Sequence, residues 1–273
     1  MKFCTALIPF CFVFLFPQWG ETREAKTILP NQLSVEKIQD RVFLFTDREF
    51  YSSNTLVVKM LDQSVVIVSS PFDDIGTLTM MNWIQENLKP KKIIAINTHF
   101  HRDGMGGNTI YKRFGAETWA SDKSQELRRK ANRIPAHKSV SFYKNPEHKK
   151  RLLKSPVETA EFTFSLVAGK EFNLSGEKVF VQYPGHAHSS DNTVVYFPSS
   201  KILFGGCMIK PKSLGYLGDA NVENWPQAAA YLKKFDTRIV IPGHAPWGGP
   251  QLIDQTIKVA QKALLKKAKR RLQ

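Results

Sequence analysis

The stretch Ile93-Ile94-Ala95-Ile96-Asn97-Thr98-His99-Phe100-His101-Arg102-Asp103-Gly104-Met105-Gly106-Gly107-Asn108 decides how the 273-residue chain is to be read. Its first four residues form a short apolar run of strand length, and its last three open a helix expected to run through Phe114. Between them stand two histidines on alternate positions. Alternate side chains of an extended segment point the same way, so His99 and His101 can converge on one cation. Asp103 can reach the same ion or an adjacent one, and zinc accepts both imidazole and carboxylate. The small residues that follow leave little bulk to obstruct a ligand. Paired histidines near an acid also occur on ordinary surfaces, so the rest of the chain must decide.

The chain has seven histidines. Five of them, His99, His101, His186, His188 and His244, fall in three segments that follow predicted strands. Cys207 closely follows another, in Phe204-Gly205-Gly206-Cys207. Donors placed at the ends of separate strands are how a scaffold holds a rigid metal site, and these residues offer enough for two clusters. His137 and His148 sit among polar and basic neighbours and read as surface residues.

Strands are expected at residues 42–46, 55–60, 64–68 and 93–96, and a helix at 75–88 that Pro90 ends. A basic helix follows at 122–133. Hairpins are expected from 170–174 with 178–183 and from 192–197 with 201–204. A helix at about 223–235, a strand at 238–241 and a final helix from Pro250 complete the chain. Strands in groups, each followed by helices, predict an α+β fold with two sheets sandwiched between helices.

No linker or repeat divides the chain, and 42% of its residues are hydrophobic, which suits one large domain over residues 26–273. Residues 1–25 read as a secretory signal peptide: Lys2, an apolar run at 3–16 too short for a comfortable membrane span, then a mostly polar stretch with Gly20 and Ala25 as cleavage points. Cys4 and Cys11 leave with that segment, so the mature chain keeps only Cys207. A lone thiol in an oxidising compartment must be buried and inert, paired between chains, or bound to something. The net charge of +15 is concentrated partly in Lys258, Lys262, Lys266, Lys267, Lys269, Arg270 and Arg271, and partly in Lys149, Lys150, Arg151 and Lys154. Solvated helix and loop ends are the expected reading. Contact of the basic final helix with an anionic membrane surface is the alternative, and no nucleic acid is expected.

Four strings together resemble the class B metallo-β-lactamases of the metallo-β-lactamase superfamily. They are Asn97-Thr98-His99-Phe100-His101-Arg102-Asp103, Gly185-His186-Ala187-His188-Ser189-Ser190-Asp191-Asn192, Gly205-Gly206-Cys207-Met208-Ile209-Lys210 and Pro242-Gly243-His244. They occur in the family's order, from about Val42 to the final helix. The resemblance implies an αββα sandwich, two mixed sheets between helical layers, with metals in a groove along one edge. It implies two zinc ions, one held by His99, His101 and His188, the other by Asp103, Cys207 and His244. His188 rather than His186 is the ligand because it stands three residues before Asp191-Asn192. It further implies hydrolysis of the β-lactam amide by a zinc-bound hydroxide that Asp103 helps orient, with Lys210 gripping the substrate carboxylate. Antibiotic resistance, a periplasmic location in a Gram-negative cell and a monomer acting on small β-lactams follow as expectations.

The chain also departs from the family. His99 matches the di-zinc, broad-spectrum branch, where the mono-zinc, carbapenem-selective branch has asparagine. Yet the connection at 47–54 is short where broad-spectrum enzymes carry a mobile flap, and the insertion at 122–154 resembles a feature of the carbapenem-selective branch. Ser69 stands where an aspartate usually supports the site. Gly104 replaces a larger side chain, and Tyr216 stands where an asparagine often aids the lactam carbonyl. A restricted, carbapenem-leaning di-zinc enzyme is therefore expected. Two rival readings stand beside it. Thioester or phosphodiester hydrolases of the superfamily carry a second histidine after the aspartate and a bridging aspartate in place of Cys207. A non-catalytic metal-binding module would have a broken ligand set.

Overall fold

The computed structural model describes residues 25–141 and 143–271. The expected signal segment, 1–25, lies outside the described residues except for Ala25. Among the described residues the first sheet carries β1 (Thr27–Ile28), β2 (Leu33–Gln39), β3 (Val42–Asp47), β4 (Ser53–Lys59), β5 (Ser64–Val68), β6 (Lys92–Ile96), β7 (Glu117–Ser121) and β8 (Phe162–Phe164), in that spatial order. The second carries β9 (Lys170–Leu174), β10 (Glu177–Gln182), β11 (Val194–Phe197), β12 (Ile202–Gly206) and β13 (Ile239–Pro242), ordered β13-β12-β11-β10-β9. Both sheets are mixed. Strands β5 to β8 pair in parallel after an antiparallel start, and β13 lies parallel to β12 beside an antiparallel run.

Side-chain alternation explains the layering. Val66, Val68, Ile94 and Ile96 face Ile202, Phe204, Ile239 and Ile241 between the sheets. Their strand neighbours Val65, Ile67, Ile93 and Ala95 face outward onto α1 (Asp74–Leu88), with α2 (Arg102–Met105) following β6 and α3 (Asn108–Arg113) packing beside α1. On the opposite face Leu203 and Val240 pack under two further helices described below. Fully burying each such side chain contributes roughly 1.5–3 kcal/mol, and three stacked apolar layers fix the αββα sandwich. Asp73 caps α1 by accepting from the Gly76 N–H at 2.8 Å, and Lys89 ends it in a left-handed turn before Pro90.

Three helices lie between β7 and β8: α4 (Asp122–Asn132), α5 (Ala136–Ser139) and α6 (Pro146–Leu153). Only the first is legible as a periodic segment. The insertion builds a small core of its own from Phe50, Phe72, Val140, Tyr143 and Leu152. The helix expected at 223–235 is α7 (Trp225–Ala230) followed by a 3-10 turn, and α8 (Gln251–Arg271) closes the described chain. Its lysines Lys258, Lys262, Lys266, Lys267 and Lys269 are exposed. No helix among the described residues is long and apolar enough to cross a membrane.

Strands β1, β2, β7 and β8 are not evident in the sequence. In β2 the alternation of Leu33 and Val35 breaks at a bulge between Lys37 and Gln39. Glu36 is buried there, accepting from the Trp247 indole at 3.0 Å and pairing with Lys26 at 3.2 Å. A charged residue inside the apolar pattern conceals the strand.

Candidate metal centre

Strands β10, β12 and β13 run in one direction, so their C-terminal ends share an edge, and the end of β6 meets that edge from the other sheet. The Thr193 N–H donates to the Thr98 carbonyl at 2.8 Å across the junction. His99 and His101 follow β6, Asp103 lies in the first turn of α2, His188 follows β10, Cys207 follows β12 and His244 follows β13. The strand-end placement expected from the sequence is what the fold delivers.

Donor atoms of His99, His101 and His188 lie within 4.8 Å of one another, as do those of His99, Asp103 and Cys207. His99 thus borders both groups. His244 joins the second through Asp103: its Nε2 is 3.0 Å from Asp103 Oδ2, and the Cys207 thiol donates to that same oxygen at 2.8 Å. Cys207, the one cysteine among the described residues, is therefore buried and hydrogen-bonded to Asp103.

The donors fit a cation. His101 Nδ1 and His188 Nε2 face each other at 3.2 Å, and one proton at most can lie between them. Beside them His99 Nε2 is buried with no hydrogen-bond partner. An ion among these nitrogens would satisfy all three, and it would give His99 Nε2 the partner that burial denies it. The second group combines carboxylate, thiol and imidazole, a mixture that zinc takes.

The electrostatics divide the two groups. Burial opposes ionisation of Asp103, but His99 and His244 outweigh it and hold its carboxyl well below the usual range. Burial and Asp103 push the Cys207 thiol up, yet His244 and Lys210 bring it down to about 7. His244 is raised to about 10, with Cys207 and Asp103 overcoming its burial. His188, by contrast, is driven well below the usual histidine value by burial and by the neighbouring histidines and Lys210. His99, which borders both groups, is raised well above that value: burial opposes its charge, but Asp103 and Cys207 outweigh it.

Outside the donors, short contacts fix ring orientation. His101 Nε2 meets Asp219 Oδ2 at 2.8 Å, leaving Nδ1 for the site. His99 Nδ1 meets Thr98 Oγ1 at 3.2 Å, and Thr98 Oγ1 meets Ser69 Oγ at 2.7 Å. His244 Nδ1 meets the Tyr51 carbonyl at 3.1 Å. Asp191 accepts from the Phe100 N–H at 2.7 Å. Two glycines permit the crowding. A Cβ on Gly104 would sit 2.2 Å from the His99 carbonyl oxygen, and one on Gly243 would sit 2.6 Å from Cys207 Sγ. Asp219, Thr98 and Asp191 carry no distinguishing spacing in the sequence, although the Asp191-Asn192 pair does mark its loop.

Lys210 lies near enough to His188 and Cys207 for its charge to depress both. Tyr216 is exposed, its ring edge-on to His101 at 5.8 Å, with its hydroxyl held by Asp219. His186 turns away from the donors: its Nε2 meets the Asp219 carbonyl at 2.8 Å. His148 is not a plain surface residue, since its side chain is only 19% exposed and its Nε2 pairs with Glu49 at 3.1 Å. The turn at 48–52 is indeed short, and it packs against the insertion.

Sandwich and donors together define a protein of the αββα class with two groups of candidate metal ligands on strand ends at one sheet edge. The sequence profile of the metallo-β-lactamase superfamily matches residues 52–244. A type 2 metallo-β-lactamase of Pseudomonas aeruginosa is 32% identical over 247 residues, covering 88% of this chain and 89% of the relative. A type 2 metallo-β-lactamase of Bacteroides fragilis is 28% identical over 242 residues, covering 85% and 86%. Among solved structures, the metallo-β-lactamase from Pontibacter korlensis matches with a TM-score of 0.69 at 28% identity, covering 84% of this chain and 99% of that one. The chain belongs to the metallo-β-lactamase superfamily.

Proposed function

We propose that the protein is a zinc-dependent β-lactamase, holding two zinc ions and favouring carbapenems. The observation that carries this is the convergence of six donors at one sheet edge with Lys210 beside them. His99, His101 and His188 would hold one ion, and Asp103, Cys207 and His244 the other. When bound at such sites, zinc polarises a carbonyl and lowers the pKa of water to about 7.

The chain's own residues supply the rest. Lys210 presents a point charge for the carboxylate common to β-lactams. Asp103, kept ionised by His99 and His244, accepts a hydrogen bond from the attacking water and so orients it. With its hydroxyl engaged by Asp219, Tyr216 acts through its ring and narrows the groove beside His101. The short turn at 48–52, fixed against the insertion, supports a restricted substrate range. Residues 1–25 direct the chain to the periplasm, where the mature protein, residues 26–273, works as a monomer and confers resistance.

Steady-state rates on a penicillin, a cephalosporin and a carbapenem, with chelator and then zinc add-back, test this reading. The expected result is chelator-sensitive, zinc-restored hydrolysis with the carbapenem preferred. Comparable turnover of all three removes the restriction, and turnover of none overturns the activity. His99→Asn should lower bound zinc from two equivalents to one by mass analysis. Cell fractionation should find the protein in the periplasm.

A further inference from the structure

One wall of the site is tied to the helical insertion by a continuous set of contacts. The Arg151 side chain on α6 is only 18% exposed and lies between two acids from separate elements. On one side it pairs with Asp73, the fully buried cap of α1, through Nη2 at 2.7 Å and Nε at 2.8 Å. On the other it bonds Glu49 in the β3–β4 turn, and its guanidinium sits over the Phe50 ring at 5.2 Å. His148, one helical turn earlier, grips the same Glu49 at 3.1 Å and packs on Phe50 at 4.6 Å. Phe50 is wholly buried and stacks on Phe72 at 5.3 Å. The next residue, Tyr51, offers its carbonyl to His244 Nδ1. Tyr51 has a φ of 59°, a left-handed conformation that a tyrosine keeps only when its neighbours enforce it.

We infer that Arg151 and Glu49 are positioning residues for His244, so that the insertion sets the affinity of the Asp103–Cys207–His244 group for its metal. A histidine ligand needs its second nitrogen fixed by an acceptor. Here that acceptor is a main-chain carbonyl, and its place depends on where the turn is held. Asn54 clamps the other flank, donating to the Pro242 and Ala245 carbonyls at 2.8 Å each. His244 is thus steadied from both sides, and only the Tyr51 side runs through the insertion. The tri-histidine group meets the insertion elsewhere, through Arg128 donating to the Phe100 carbonyl at 3.2 Å, and its ring partners Asp219 and Thr98 do not involve Glu49.

The inference rests on the two-zinc reading, and zinc titration separates the two. Arg151→Ala strips the buried Asp73 of its partner and could unfold the chain, so Glu49→Gln is the informative variant; it leaves the Arg151–Asp73 pair in place. Purified wild type and variant are titrated with zinc against a competing chromophoric chelator. Cobalt(II) substitution then reports Cys207 coordination through its thiolate charge-transfer band. In Glu49→Gln the second zinc equivalent should weaken by about tenfold or more, with a weaker thiolate band and an unchanged first equivalent. Two equivalents with wild-type affinities overturn the link and leave the two-site reading intact. Equal weakening of both equivalents with a lowered Tm also overturns it, by showing a general loss of fold. A wild type that takes up only one equivalent overturns both.

Discussion

The two donor groups border each other through His99, yet they are built on opposite terms. The tri-histidine group consists of imidazoles, and in it His188 is kept neutral by burial and by its histidine neighbours. The group of Asp103, Cys207 and His244 carries an ionised carboxylate, a thiol at about 7 and an imidazole raised to about 10. In the first group His99 is pushed the other way from His188, since Asp103 and Cys207 overcome its burial. The second is a cluster of compensating charges, in which histidine protons occupy places a cation would take. Binding at either group must displace protons, so the affinity of both should fall on acidification. What the comparison teaches is that two donor groups sharing one wall can differ in charge through donor chemistry alone.

Cys207→Ala attacks the contrast most directly. The second equivalent of zinc should be lost, the first kept, and β-lactam hydrolysis should fall by more than about 100-fold, since even supporting residues of a metal site cost 10–100-fold. Two zinc ions per chain in the variant would collapse the distinction. Gly104→Ala probes the residue next to Asp103 that lets α2 approach His99, where a Cβ would lie 2.2 Å from the His99 carbonyl oxygen. Both sites should suffer, and kcat/KM should drop by about 100-fold, the usual cost of displacement on the order of 1 Å. A selective effect on one site would show that the loop carrying His99 and Asp103 does not move as a unit.

Asp219→Asn sharpens the comparison from the tri-histidine side. It should weaken the tri-histidine site by about 10-fold or more and spare the thiolate site, as read by chelator competition. Equal loss at both sites would refute the assignment of Asp219 to His101 among the six donors. A last test reads stability rather than metal and concerns Asp47, which holds the turn beside His244 by accepting from the Phe50 N–H at 3.1 Å. Burial raises its carboxyl to about 6 from 3.8. The folded state therefore binds this proton more tightly than the unfolded chain, and the group's contribution is lost as pH rises from about 4 to 6. Relative to Asp47→Asn, wild type should lose up to about 3 kcal/mol over that window, measured by denaturant unfolding. A pH-independent difference would remove Asp47 from the account.

Much of this was readable in advance because the chemistry is strand-end chemistry. Runs such as 93–96 and 202–204 announce buried strands, and the histidines and cysteine just beyond them announce donors. Where burial and polarity conflict, the pattern fails. Glu36 hides β2, and β7 offers only Trp119 and Ala120 as apolar markers. The insertion is visible as one basic helix, because α6 earns its place through Arg151, His148 and Leu152 rather than through periodicity. Asp219 and Thr98 are common residue types in unremarkable contexts. Only folding reveals that each faces the far nitrogen of a histidine.

Asp103 and His244 stand 141 residues apart in the chain and 3.0 Å apart in space. That separation imposes an order of events on synthesis. A growing chain presents His99, His101 and Asp103 early, when an ion could be held only loosely by neighbours in sequence. The charged group cannot be assembled until both sheets have been made and docked. Metal capture there is thus a report that folding has finished, and an incomplete chain has no means of sending it.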